Sequence, residues 1–444
     1  MKKNLLSSLI VVVCLVVAVS LFLAGCKTTT TETTAAETTA VVTTAAETTA
    51  VATTSGEKVE INYMTWRTGV EGFDTALVSA FEAKNPNIKV NFQGITGVEE
   101  YVQAQKTRLL TPGVLDVMSI RAETIEDYVK AGYLADLTGQ TFLSNVIDAG
   151  LKKGTIDGKT YAVGSSVNLV GVWYNKDAFD KAKISIPKNW EEFISACDKF
   201  LDSGYKEVLA NGGLDVWPME FDIYPFMNKL IIEDPLIFQK VKSGEIKYTD
   251  PIFVDTFKAI DEFYKKGYVS KDVLSIGYTD SVNFFLNNKI PMQIEGEWYG
   301  SAIKSALGDA QPSFNIGVFP MPNPGIDDTI VSADIGIYEA VIESSTHKAE
   351  AMKFMEFLCS TEGSQIIADY MGGFTPVKGV QVSDSLAKLF QPLLDYKSVP
   401  FWYSGEMSTN AINEFSKGLQ DLFAKKITPE QLAERVQTAE ESGK

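Results

Sequence analysis

The chain has 444 residues with one histidine and four cysteines, and its formal net charge is −17. Such an acidic surface repels nucleic acid and anionic lipid, so we expect neither as a binding partner. A single histidine disfavours His-based catalytic triads and His-rich metal sites. We therefore predict that no metal ion and no other cofactor is required.

The first 25 residues are typical of a bacterial secretory signal, with Lys2 and Lys3 before an apolar run from Leu9 to Val19. The run is shorter than the ~20 apolar residues of a membrane span. Leu23-Ala24-Gly25-Cys26 then resembles a lipobox, whose cysteine becomes the acylated, palmitate-bearing first residue of the mature chain. We predict a signal peptide over 1–25 and a lipoprotein anchored on the extracellular face of the cytoplasmic membrane. The alternative is an uncleaved signal anchor.

Residues 26–56 are predicted to form a flexible tether behind the acylated cysteine. Most of the segment is Thr, Ala, Glu and Val, and AAETTAVVTT at 35–44 recurs almost unchanged as AAETTAVATT at 45–54. It has no aromatic residue, Leu or Ile, so it cannot bury enough apolar surface to offset the entropy of ordering. The globular part therefore starts near Glu57.

Apolar periodicity from there on alternates between strand and helix patterns. Val59–Tyr63 and Ile88–Phe92 alternate with a period of two, and Phe73–Phe81 between them has helical spacing. This strand–helix–strand unit predicts parallel pairing. Further strands are predicted over Val114–Met118, Val163–Asn175 and Ile290–Ile294, and helices over Thr124–Ala131, Trp190–Leu201, Pro251–Lys266 and Lys348–Ser360. The chain is predicted to be an α/β protein with parallel-rich sheets.

Two cysteines, Cys197 and Cys359, lie within helix-like segments of the globular part. Cysteine is among the residues most often buried as a small apolar side chain. We expect both to be buried thiols rather than a disulfide or a metal pair.

A series of short motifs runs along the chain from Val59 to the C-terminus. They are a strand ending at Trp66, NPNIKV at 85–90, GYLADL at 132–137, YNKD at 174–177 with PKNWEE at 187–192, FFLNNKIPMQIEGEW at 284–298, the helix 348–363, and GGFTPV at 372–377. In this order they resemble family 1 extracellular solute-binding proteins, the carbohydrate-binding lipoproteins of ABC importers. The chain departs from the family at Gly164, where Pro is usual, and at Asp334-Ile335-Gly336, which replaces a more glycine-rich turn.

The resemblance implies a two-lobe, maltose-binding-protein-like (type II) fold with a ligand cleft between the lobes. The expected lobes are 57–164 plus 332–378 and 165–331 plus 379–444, with crossings near Gly164 and Ser332. It further implies a monomer that closes on a sugar or oligosaccharide and delivers it to the permease subunits of an ABC importer. Contact with the membrane is expected only through the lipid anchor.

Aromatic side chains are the first candidates for a sugar site, because their planes stack on the C–H faces of sugars. Trp66 and Trp298 are predicted at strand ends, where ligands of open α/β sheets bind, and Trp217 in a loop. Trp402 fits ligand contact and core packing about equally well. The resemblance adds Phe374 as a further candidate ligand contact. Trp173 and Trp190 fit core packing.

Polar candidates lie at predicted strand ends or near the crossings: Arg67, Arg121, Glu123, Asn168, Glu297, Asp334 and Glu406. A guanidinium such as that of Arg121 can donate two parallel bonds to vicinal hydroxyls. Three of them have a structural alternative. Arg121 could instead pair with Glu123 or Glu126, Asp334 could cap a turn, and Glu297 could cap a helix that begins at Tyr299.

Two rival functions remain open, a secreted glycoside hydrolase and a surface carbohydrate adhesin. A hydrolase needs a carboxylate pair, for which Glu295/Glu297 or Asp215/Glu220 are candidates. The sequence contains no Gly-x-Ser-x-Gly elbow, Walker loop or His-Glu-x-x-His motif. We predict binding without catalysis and assign no catalytic residue.

Overall fold

The computed structural model describes residues 58–442 except 288–289, 309 and 401–405. The predicted signal peptide, Cys26, the tether and Trp402 lie outside the described residues. Everything below concerns the compact unit that starts at Gly56.

Helices and strands alternate through most of this unit. The strands are β1 (Val59–Thr65), β2 (Ile88–Gly94), β3 (Val117–Ile120), β4 (Thr155–Ile156), β5 (Lys159–Thr160), β6 (Val163–Asn175), β7 (Leu209–Ala210), β8 (Met292–Gly296), β9 (Ile316–Phe319), β10 (Ile330–Val341) and β11 (Lys397–Val399). The helices are α1 (Phe73–Lys84), α2 (Val98–Leu109), α3 (Ile125–Lys130), α4 (Asp148–Lys152), α5 (Lys176–Ala182), α6 (Trp190–Asp202), α7 (Met219–Glu233), α8 (Ile237–Ser243), α9 (Pro251–Lys265), α10 (Tyr278–Leu286), α11 (Tyr299–Leu307), α12 (Lys348–Leu358), α13 (Thr361–Met371), α14 (Thr409–Phe423) and α15 (Pro429–Ser442).

Nine of these strands form one mixed sheet, in the order β2-β1-β3-β10-β6-β8-β7, with β11 paired to β10 and β9 to β6. The predicted strand–helix–strand unit is confirmed, because β1 and β2 are parallel. The expectation of parallel-rich sheets is confirmed only in part: β1 is also parallel to β3, β7 to β8 and β10 to β11, but the other four pairings of this sheet are antiparallel. Strand β10 runs antiparallel to both β3 and β6, and β6 runs antiparallel to β8 and β9.

The described residues form four apolar clusters, and two of these define the lobes. One contains Tyr63 and Phe81 with Phe354 of α12, and we call the part packed around it the first lobe. The other contains Phe193 of α6 and Phe415 of α14, and we call the part packed around it the second lobe. Burial of these aromatic side chains removes large apolar areas from water and stabilises each lobe.

Strands β6 and β10 pass side by side from the first lobe to the second. Residues 163–169 of β6 pair with 333–339 of β10, whereas 170–175 of β6 pair with β8 and β9 of the second lobe. The crossings near Gly164 and Ser332 and the lobe bounds remain predictions.

The two cysteines are confirmed as buried free thiols. Burial raises the pKa of Cys197 well above its ordinary value, which keeps the thiol protonated and unreactive. Trp173 is fully buried and Trp190 packs against the second core, as predicted.

Candidate functional site

The first lobe presents Trp66 directly after the last residue of β1. Its ring is partly exposed and meets the ring of Tyr101 edge to face, with centroids 4.8 Å apart. The Tyr101 hydroxyl donates to the carbonyl oxygens of Met64 and Ser119, at 3.0 and 2.7 Å. Tyr101 is thereby fixed to both strands, so Trp66 rests on a rigid support and keeps surface for a ligand.

Arg121 follows the last residue of β3 and forms an ion pair with Glu123. The side chain of Arg121 is 24% exposed and that of Glu123 is 6% exposed. The salt-bridge alternative is therefore the arrangement present in the structure. Because the Arg121 side chain is partly exposed, it lies where a ligand at this strand end could reach it.

Arg67 does not face a cleft, which corrects the expectation that it lines the ligand site. Its guanidinium is buried, pairs with Glu339 and donates to Ser165 Oγ at 2.6 Å. Glu339 also accepts from the hydroxyls of Ser165 and Ser119, at 2.9 and 3.0 Å. The network joins β3, β6 and β10 to Arg67, two residues after the end of β1, so Arg67 has a structural role where these strands meet.

Glu297 is likewise buried, and it ties the end of β8 to strand β6. Its Oε1 accepts from Asn168 Nδ2 at 2.7 Å and its Oε2 accepts from the Leu169 amide at 2.8 Å. Burial raises the pKa of Glu297 to about 8, although these N–H donors act in the opposite direction. The expectation that Glu297 reaches ligand hydroxyls is therefore corrected, as is the alternative of a side-chain cap, because α11 has none. Asn168 is buried with it.

In the second lobe, four aromatic rings cluster near the end of β8. Phe221 lies with its ring centroid 5.6 Å from Trp217 and 5.7 Å from Trp298, and Tyr278 lies 4.9 Å from Trp217. Trp217 and Trp298 are partly exposed, whereas Phe221 is fully buried. The two partly exposed tryptophans thus pack against the same buried ring, that of Phe221.

The position of Trp298 depends on Gly296, because the indole folds back over that residue. A Cβ at Gly296 would lie 2.1 Å from Trp298 Cζ3, far inside van der Waals contact. The Gly-x-Trp motif therefore has a steric reason here: only glycine lets the ring lie flat over the end of the strand.

Asp334 and Glu406 share one cation, Lys153. The Lys153 ammonium lies 2.9 Å from Asp334 Oδ2 and 3.3 Å from Glu406 Oε1. Burial lowers the pKa of Lys153, but the two carboxylates outweigh burial and raise it above its ordinary value. The predicted residues are brought together here by a lysine that no local sequence motif indicated.

Phe374 packs into an apolar cluster with Leu169 and Trp173, and its carbonyl accepts from the Val167 amide at 2.8 Å. It is 9% exposed. The expectation of a ligand contact at Phe374 is therefore corrected to a packing role beside the crossing strands.

The carboxylate pairs considered for hydrolysis are buried or engaged. Glu295 and Glu297 are 0% and 1% exposed, and Glu220 accepts from Ser416 Oγ at 2.5 Å. Asp215 accepts from the Tyr278 amide at 2.6 Å. A hydrolase needs a carboxylic acid and a carboxylate that both reach the scissile bond, and neither pair offers this.

Two further negative findings concern the part of the chain that the structure describes. It contains no group of three His, Cys, Asp or Glu side chains suited to hold a metal ion. None of its helices combines the length and the apolar character needed to cross a bilayer.

Comparison with known proteins gives one consistent picture. The family of bacterial extracellular solute-binding proteins matches residues 67–365. The multiple sugar-binding protein of Streptococcus mutans is 25% identical over 336 residues, 73% of this chain and 77% of that protein. The melibiose/raffinose/stachyose-binding protein MelE of Bacillus subtilis is 20% identical over 371 residues, 81% and 84% of the two chains. A solved chitin oligosaccharide binding protein has a TM-score of 0.77 at 21% identity, covering 87% of this chain and 99% of its own. This likeness confirms the predicted two-lobe α/β fold.

Proposed function

Because the chain belongs to the family of bacterial extracellular solute-binding proteins, we propose that it captures a sugar or oligosaccharide for an ABC importer. The observation that chiefly supports this proposal is the presence of partly exposed aromatic rings in both lobes: Trp66 in the first, and Trp217 with Trp298 in the second. Flat, partly exposed rings beside polar groups suit a ligand with C–H faces and a rim of hydroxyls. A relative that is named for melibiose, raffinose and stachyose favours an oligosaccharide over a single sugar.

The proposed mechanism is closure of two lobes around the ligand. Strands β6 and β10 connect the lobes, and rotation near Gly164 and Ser332 would change their separation. A sugar that contacts the aromatic rings of both lobes binds the closed form better than the open form, so it shifts the population toward closure. The closed form then docks on the permease.

The proposed setting is the outer face of the cytoplasmic membrane, with a monomer anchored through acylated Cys26 and spaced by the tether 26–56. No cofactor takes part in this scheme, since stacking and hydrogen bonding suffice to hold a sugar. Binding without turnover is preferred to hydrolysis because the candidate carboxylate pairs are buried or engaged.

The function is tested by titrating the purified protein with melibiose, raffinose, stachyose and malto-, xylo- and chito-oligosaccharides in a calorimeter. We expect at least one to bind 1:1 and to be recovered intact. Recovery of cleaved sugar would favour the hydrolase, and no heat with any sugar would refute sugar capture.

The aromatic site is tested by Trp298→Ala, which should weaken binding by ~1–3 kcal/mol, the scale of a lost aromatic contact at a ligand site. Trp190→Phe is the matched control, since Trp190 packs on Phe226 at a centroid distance of 5.2 Å in the second core. The control should change the melting temperature and leave affinity unaltered. Equal affinity for Trp298→Ala and the parent would remove Trp298 from the site.

A further inference from the structure

One ammonium group links the two lobes through a pair of carboxylates. Lys153 follows the last residue of α4 in the first lobe, Asp334 lies on the crossing strand β10, and Glu406 precedes α14 of the second lobe. The N–O distances of 2.9 and 3.3 Å place the ammonium in contact with both acids. A single lysine therefore bridges the first lobe, the crossing and the second lobe.

The ion pairs of Lys153 are largely shielded from water. The side chains of Lys153, Asp334 and Glu406 are 23%, 19% and 30% exposed, and the Nζ atom of Lys153 is fully buried. Charges with little access to water interact more strongly than surface pairs. Without the ammonium, two carboxylates that it now holds close together would face each other and repel.

A second polar contact joins the lobes at a different place. Thr409 Oγ1, at the start of α14, donates to Asp127 Oδ2 of α3 at 3.2 Å. Both side chains are accessible to solvent, so this bond contributes little by itself. It does place α3 of the first lobe against α14 of the second, the same arrangement of lobes that brings Lys153 to Glu406.

We propose that the described arrangement of the lobes is the closed form and that Lys153 is a positioning residue for it: the lysine holds Asp334 on the crossing strand and Glu406 of the second lobe together and thereby favours closure. This rests on the proposed function where ligand affinity is concerned. Since only the closed form contacts a ligand from both sides, the apparent affinity scales with the fraction of closed molecules.

The test compares Lys153→Met with Lys152→Met, its exposed neighbour, in the full mature chain. Lys153→Met should raise the radius of gyration of the ligand-free protein in small-angle X-ray scattering and weaken oligosaccharide binding about tenfold or more. Lys152→Met should match the parent in both. Adding Glu406→Gln to Lys153→Met removes the repulsion and should return the radius of gyration toward that of the parent.

The outcomes separate this proposal from the proposed function. Scattering requires no ligand, so an unchanged radius of gyration for Lys153→Met overturns the positioning role even if no sugar binds. If Lys153→Met is unstable, Lys153→Arg and Glu406→Gln take its place. Lys153→Arg should keep the radius of gyration of the parent, whereas Glu406→Gln should increase it. An increase for Lys153→Arg with no change for Glu406→Gln would refute the proposal.

Discussion

Substitution of Gly296 offers a test of the stacking role of Trp298 that keeps the tryptophan in the chain and changes only the orientation of its ring. A Cβ on Gly296 would meet Trp298 Cζ3, Cη2 and Cε3 at 2.1, 2.2 and 2.5 Å. Contacts below 3.0 Å essentially do not occur, so in Gly296→Ala the ring must leave its place against Phe221. The tryptophan is retained, but its plane no longer lies where a sugar would stack.

Two separate costs follow from that displacement. Forcing a methyl group against a packed ring typically costs ~1–3 kcal/mol of stability. Loss of an aligned stacking surface costs ~1–3 kcal/mol of binding, which corresponds to an affinity about 5- to 150-fold weaker. The second cost appears only if Trp298 contacts the ligand.

The assay measures melting temperature and calorimetric affinity for the same variants. Gly171→Ala is the matched control: its Cβ would crowd Val318, Phe390 and Leu393 at 2.9, 3.1 and 3.2 Å. It should lower the melting temperature without changing affinity. If Gly296→Ala and Gly171→Ala are equally destabilised and both bind like the parent, the stacking role of Trp298 is refuted.

Three further predictions concern pH, a buried ion pair and the anchor. Burial raises the pKa of Asp222 from 3.8 to about 8, so between these values the folded protein keeps a proton that the unfolded chain has lost. Stability should therefore fall by up to about 1.4 kcal/mol per pH unit toward pH 8, and Asp222→Asn should flatten the melting-temperature profile. An unflattened profile would contradict this. Arg67→Met leaves the buried Glu339 unpaired and should cost ~3–5 kcal/mol in chemical denaturation, against ~0–1 for Lys130→Met at a surface pair; equal losses would count against the network. Cys26→Ala should move the protein from the membrane fraction to the medium, and continued membrane association would support a signal anchor.

Where local patterns in the sequence predicted a helix or strand, the observed bounds often lie close to the predicted ones. Strand β6 begins and ends at the predicted residues, Val163 and Asn175. Helix α9 begins at the predicted Pro251 and ends one residue earlier than predicted, at Lys265. Alternation and helical spacing depend only on neighbouring residues, so they can be recognised in the sequence without knowledge of the fold. The mixed sheet was missed because β10 inserts between β3 and β6 from more than 150 residues away.

The site was predicted less completely for the same reason. Arg67 has the surroundings of a strand-end ligand contact, but its partner Glu339 lies 272 residues further along the chain. Lys153 stands in an unremarkable Lys-Lys-Gly turn, and only the tertiary structure reveals its two carboxylate partners. Trp66 and Trp298 do lie just after the ends of strands, as predicted, because strand ends can be read from local patterns; their contact with a ligand remains a prediction.

The insertion of β10 also dictates when the molecule can be completed. The central sheet has a gap between β3 and β6 until residues 330–341 are available, so three quarters of the chain must be synthesised before the sheet can close. Pairings between distant segments form slowly, because a large loop must be closed first. In the export that we propose for this chain, this late-closing topology would postpone the native structure until most of the chain has crossed the membrane, so the sheet would be completed outside the cell.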